Sequence, residues 1–180
     1  MKLHTYSFVL ALPLLQATHA LAQQQRFKID PQSSEVAFTL GDVLHTVHGV
    51  FHVETGAVDF DPAASKLSGS AVVAASSGNS GNETRDKKMS KDILDVPHFA
   101  EISFVPRSYQ GSIALSGDST VQVTGVLTLH GMPHDLTVPA QVHIDGTSRT
   151  VQAHFAVPYV KWGLKDPSQG RQGSGNRSHS

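Results

Sequence analysis

Residues 121–144 read VQVTGVLTLHGMPHDLTVPAQVHI, and this stretch decides the fold. Val121, Val123, Gly125, Leu127 and Leu129 fall on every second position. Leu136, Val138, Ala140, Val142 and Ile144 do so again after a break. Such period-two alternation marks a strand with one buried and one solvated face. Between the runs lies His130-Gly131-Met132-Pro133, a turn by its glycine and proline. The two runs are therefore expected to pair as an antiparallel hairpin.

The same period continues on both sides. Val36, Phe38 and Leu40 alternate, and Val47, Gly49, Phe51 and Val53 share one face. Val58 and Phe60 form a short run closed by Asp61-Pro62, and Leu67, Gly69, Ala71 and Val73 form the next. Ile102 and Phe104 begin a strand that Pro106 is expected to stop. After the Asp145-Gly146 turn, Val151, Ala153, Phe155 and Val157 make a last run. One stretch reads as helix. Asn82-Glu83-Thr84 offers caps, Met89 and Ile93 stand four apart, and Pro97 closes it. An all-β antiparallel meander of this length is a sandwich or a barrel. Periodicity leaves both open. Small residues on the apolar faces (Gly49, Gly69, Ala71, Gly125, Ala140, Ala153) favour a barrel with unfilled interior space.

Composition narrows the function. The 180 residues suit one domain, and a net charge of -1 gives no electrostatic basis for binding nucleic acid. With no cysteine there is no disulfide, thiolate zinc site or cysteine nucleophile. Lys2 and His4 precede an apolar run from Phe8 to Leu15, followed by Ala20-Leu21-Ala22. Residues 1–22 therefore read as a cleaved secretory signal peptide, too short in its apolar run to span a membrane well. The folded unit is expected over 23–166. Residues 167–180 carry no apolar side chain after Pro167 and are expected to be disordered.

No catalytic constellation stands out. His48 and His52 share a face but lie about 13 Å apart along a strand, at about 3.3 Å per residue, too far to share one ion. His130 and His134 bracket the turn, with no third ligand placed beside them. Ser80, in Gly78-Asn79-Ser80-Gly81-Asn82, lacks the spacing of a nucleophile elbow. Asp59 and Asp61 flank a proline turn. Arg85 and Asp86 open the helix. Arg85 is a candidate contact for an anionic head group; the structural alternative pairs it with a loop acid or backbone carbonyl. What remains is an apolar-ligand carrier, since burying a hydrocarbon chain gains about 0.8 kcal/mol per methylene without polar motifs.

An ordered set of segments carries a resemblance. It begins with Phe27-Lys28-Ile29-Asp30-Pro31-Gln32-Ser33-Ser34-Glu35-Val36-Ala37-Phe38, then Val47-His48-Gly49-Val50-Phe51 and Gly56-Ala57-Val58-Asp59-Phe60-Asp61. Ala75-Ser76-Ser77, Asn82-Glu83-Thr84-Arg85-Asp86-Lys87-Lys88-Met89 and His98-Phe99-Ala100-Glu101-Ile102-Ser103-Phe104 follow. Gly125-Val126-Leu127-Thr128-Leu129-His130-Gly131 is the most distinctive, and Val157-Pro158-Tyr159-Val160-Lys161-Trp162-Gly163-Leu164 comes last. Over roughly residues 27 to 166 the chain resembles the YceI-like family of periplasmic polyisoprenoid-binding proteins.

The resemblance implies an extended, lipocalin-like antiparallel β-barrel of about eight strands with one short helical excursion. It implies a long apolar tunnel holding a polyisoprenoid or other amphiphilic chain, no other cofactor, no catalysis and a periplasmic location. It also implies links to isoprenoid quinone metabolism or stress responses. Where the family often has a histidine in its first strand region, this chain has Ser33-Ser34. The family's final alternating strand is replaced by residues 167–180. Without it the barrel lacks its closing strand, exposing edges that favour pairing with a second chain as a dimer. Codons exist for Gly170 to His179 whose one-base shift reads Ala-Gly-Lys-Val-Leu-Glu-Ile-Glu-Ala, an alternating strand. A frameshift is thus an expectation that the gene sequence tests.

The leading expectation is a non-enzymatic carrier that touches a membrane transiently and binds lipid through Phe38, Phe51, Phe104, Leu127, Leu129, Leu136, Val138, Phe155 and Trp162; Arg85 stays a candidate for the head group, with its structural pairing the favoured reading. The competing readings are a small periplasmic hydrolase or histidine–metal enzyme on a barrel, and a non-binding interaction domain with a filled core.

Overall fold

The hairpin of residues 121–144 forms, with the longest pairing among the described residues. In a computed structural model that describes residues 24–41 and 46–166, β6 (Gly117–Leu129) and β7 (Met132–Asp145) run antiparallel in unbroken register from Gly117↔Ile144 to Leu129↔Met132. The turn is shorter than its four-residue signal. His130 and Gly131 alone make it, both at positive φ (52° and 71°), the geometry whose twist matches that of paired strands. Met132 and Pro133 belong to β7.

Six further strands build outward. They are β1 (Gln25–Lys28), β2 (Glu35–Gly41), β3 (Thr46–Asp61), β4 (Lys66–Ala74), β5 (Glu101–Gln110) and β8 (Ser148–Ala153). The sheet order is β1-β3-β4-β5-β6-β7-β8, with β2 also on β3, all antiparallel. β1 and β2 act as one interrupted strand along β3. Pro31 has no amide hydrogen to continue a ladder. Asp30 turns the chain there, its carboxylate accepting from Gln32 N (3.1 Å) and Ser33 Oγ (2.7 Å).

The sheet curls into a half-barrel. Among the described residues eight strands are present and β8 does not pair with β1 or β2, so the barrel does not close there. Two bulges supply curvature and shift the faces. Between Val53 and Thr55 the inward row changes from Phe51 and Val53 to Val58 and Phe60, so the two runs read as separate strands are one strand of 16 residues. Between Pro106 and Ser108 a second bulge absorbs the proline. Pro106 is buried mid-strand and β5 continues to Gln110, instead of stopping as its sequence suggested.

The helical excursion also forms. Asn82 caps α1 (Glu83–Lys88), its Oδ1 accepting from Arg85 N at 3.0 Å, and a wider turn over Met89–Ile93 continues it. Met89 and Ile93 face the core through that turn. The last expected strand is shorter than its alternation. β8 ends at Ala153, its residues are all exposed, and Val157 packs on the core from beyond it. The expected signal peptide (1–22) and the tail (167–180) lie outside the described residues. No helix among the described residues is long and apolar enough to cross a membrane.

Candidate functional site: the inner face of the half-barrel

The inward rows of β5, β6 and β7 make one apolar surface. On β6 it comprises Val121, Val123, Gly125, Leu127 and Leu129; on β7 it comprises Leu136, Val138, Ala140, Val142 and Ile144. An apolar cluster lies at each end. Phe51, Val53, Val73, Leu94, Leu129 and Leu164 form one, and Tyr109, Val121 and Ala140 form the other. From Val121 to Leu129 the track runs about 26 Å at about 3.3 Å per residue.

Most of the residues expected to bind a chain fall on this surface. Phe51, Leu127, Leu129 and Val138 are buried; Phe38, Phe104, Leu136 and Trp162 are half-buried. Phe38 packs against Phe51 with ring centres 5.1 Å apart and planes tilted by 41°. Phe104 lies across from Leu127, and Leu136 across from Gly125. Phe155 stands apart. It lies past the end of β8 and is 46% exposed, because the strand that its alternation suggested stops two residues earlier.

The small residues do not all leave space, which corrects the expectation drawn from them. A Cβ on Gly49 would meet Phe38 Cε1 at 2.6 Å, and one on Gly125 would meet Phe104 Cζ at 2.6 Å. These glycines are seats for neighbouring aromatic rings, which cover the bare backbone. The inner face is nevertheless only partly covered, since Phe38, Phe104 and Leu136 on it remain half-buried.

Arg85 takes the structural alternative. Its Nε donates to Ser80 Oγ at 2.7 Å and its Nη2 to the Ser80 carbonyl at 2.8 Å. Asp86 accepts from Ser80 N at 3.0 Å and also from Ser80 Oγ. The pair thus clamps the loop before α1. His48 bonds Thr39 Oγ1 through Nδ1 at 3.1 Å. No group of three or more metal-ligating side chains occurs among the described residues. Two polar recesses of about 300 Å³ lie elsewhere. One, on the outer face, is lined by Asp118, Gln141, His143, Thr150 and Gln152; the other is lined by Lys91, Asp92, Asp95, His130, Lys165 and their neighbours.

One inward residue was not singled out as a contact. His134 continues the row of Leu136 and Val138, opposite the buried Leu127. Its ring lies flat on Trp162, with centres 3.8 Å apart and planes within 5°. Trp162 sits in a turn whose amides at Trp162 and Leu164 both donate to the Tyr159 carbonyl at 3.1 Å. Burial raises the Tyr159 phenol above its ordinary pKa, and the Asp166 carboxylate adds to the shift. The alternation 134-136-138 carried the signal for His134; reading it only as a turn histidine hid it.

A family model described as "YceI-like domain" matches residues 27–176. A UPF0312 protein of Pseudomonas savastanoi pv. phaseolicola is 31% identical over 145 residues, covering 78% of this chain and 72% of that protein. A UPF0312 protein of Pseudomonas putida F1 is 30% identical over the same length and shares. Among solved structures, BcnA of Burkholderia cenocepacia superposes with a TM-score of 0.60 at 20% identity, over 76% of this chain and 83% of that one. A domain of Saccharophagus degradans described as polyisoprenoid-binding superposes with a TM-score of 0.57 at 18% identity, over 75% and 77%. Those likenesses place the curled antiparallel sheet among known folds, and the family model and the Pseudomonas relatives show that this chain belongs to the YceI-like family.

Proposed function

We propose that this protein binds the hydrocarbon chain of a long amphiphilic lipid, of the polyisoprenoid class, along the inner face of the half-barrel, and carries or sequesters it without catalysis. The observation that carries this reading is an apolar inner track about 26 Å long along which Phe38, Phe104 and Leu136 stay only half-buried. An apolar face that the protein's own side chains cover only in part is a surface for an apolar partner. The family membership and the polyisoprenoid-binding description of the Saccharophagus domain support the same reading. Phe51, Phe104, Leu127, Leu136 and Val138 are the proposed contacts. The amino-terminal pattern supports export, and the proposed setting is the periplasm, with transient membrane contact for loading.

Titration with prenyl alcohols of increasing length tests this. Each methylene that reaches the track contributes about 0.8 kcal/mol, roughly fourfold in affinity. Affinity is expected to climb with chain length and level off when the track is full. No binding at any length would overturn the reading.

A further inference from the structure

We propose that His134 is the hydrogen-bonding contact for the hydroxyl end of the bound chain, an inference that rests on the lipid-binding reading. His134 Nε2 is the one buried side-chain nitrogen or oxygen with no hydrogen-bond partner among the described residues. Leaving such an atom unsatisfied costs about 1–3 kcal/mol, so a partner that reaches it is strongly favoured. The position is on the ligand track. His134 lies opposite buried Leu127 and one step along the inward row from Leu136. From Val121 to Leu129 and from Leu136 to Ile144, the inward positions are Val, Leu, Ile, Ala or Gly, so this imidazole is the polar point on an otherwise apolar stretch.

The chemistry selects a hydroxyl. Neutral imidazole Nε2 is a donor in one tautomer and an acceptor in the other, and a hydroxyl answers both. A charged phosphate would need a cation to offset its desolvation. Arg85, the candidate cation for a head group, is held by Ser80. Trp162 packs against the same imidazole face to face, so a hydroxyl hydrogen-bonded at Nε2 changes the polarity beside the indole. It is the only tryptophan in the chain, and its emission therefore reports this one place.

The experiment compares phytanol with phytane, the C20 hydrocarbon that lacks only its hydroxyl, both delivered from the same detergent micelle, on the full chain and on His134→Phe. The unaltered protein is expected to bind the alcohol about tenfold more tightly than the hydrocarbon, the size of one satisfied buried hydrogen bond. Trp162 emission should shift by a different amount with the alcohol than with the hydrocarbon. In His134→Phe the ratio of the two affinities should fall to about 1. An unchanged ratio in the variant, or equal affinities in the unaltered protein, would overturn the role of His134 while leaving lipid binding intact. Failure of both ligands to bind would overturn the lipid-binding reading and this inference with it. Should His134→Phe not fold, the ¹⁵N resonance of His134 Nε2 in the unaltered protein decides. A shift with alcohol and none with hydrocarbon supports the contact, and no difference between them refutes it.

Discussion

Gly49 lies directly across the ladder from Phe38, and the Phe38 ring occupies the space where a side chain at 49 would begin. The Asn79 carbonyl crowds the same point at 2.7 Å. Gly49→Ala must therefore push the ring off Phe51 and strain the bridge between Val50 and Asn79. We expect a loss of about 1–3 kcal/mol, seen as a thermal midpoint lower by several degrees. The loss should shrink when Phe38 is also replaced by Leu. A midpoint unchanged by Gly49→Ala would show that the ring is not seated there.

Gly131 and Gly146 both have positive φ, 71° and 54°. A Cβ at 131 would run into the Phe99 ring, whereas one at 146 meets nothing within 4 Å. Alanine at either site bears the left-handed backbone penalty of about 1–2 kcal/mol. Gly131→Ala should be clearly the more destabilising in urea unfolding, and equal losses would argue against the Phe99 contact.

Leu136 is half-buried on the inner face, while Gln141 is exposed on the outer one. Leu136→Glu puts a charge where the lipid chain is proposed to lie and should weaken prenyl alcohol binding at least tenfold. Gln141→Glu should leave it within about twofold. Equal effects from the two would mean that the face has been misassigned.

Asp30 is held below its ordinary pKa of 3.8, first by the Ser33 hydroxyl and second by the Gln32 amide. A carboxylate with a lowered folded pKa contributes stability above its unfolded value. That contribution is lost as the pH falls below about 3.8, through the folded pKa. Asp30→Asn should flatten this part of the acid unfolding curve and change nothing in its shape near neutrality. Identical acid curves would contradict the link.

The parts of the fold that alternation reveals were legible. The β6–β7 hairpin follows from Val121 to Leu129 and Leu136 to Ile144, and the Asn82 cap foretold the helix. Bulges were not legible, because one extra residue breaks the period that reveals a strand. This is why Val53 and Val58 looked like separate strands and Pro106 like an end. Gly49 and Gly125 misled for a different reason. A glycine in a strand reads as empty space, and only the three-dimensional register shows Phe38 and Phe104 filling it. Phe155 kept the alternation of β8 after its ladder pairing had ended at Ala153.

Native mass spectrometry of the intact protein purified from the cell, with organic extraction of whatever it releases, decides whether the half-barrel carries a lipid. We expect a species heavier than the polypeptide by the mass of one long amphiphile, which collisional activation ejects and extraction identifies as a polyprenyl or similar chain. A bare polypeptide mass, or one raised only by a stoichiometric metal ion, would contradict the account.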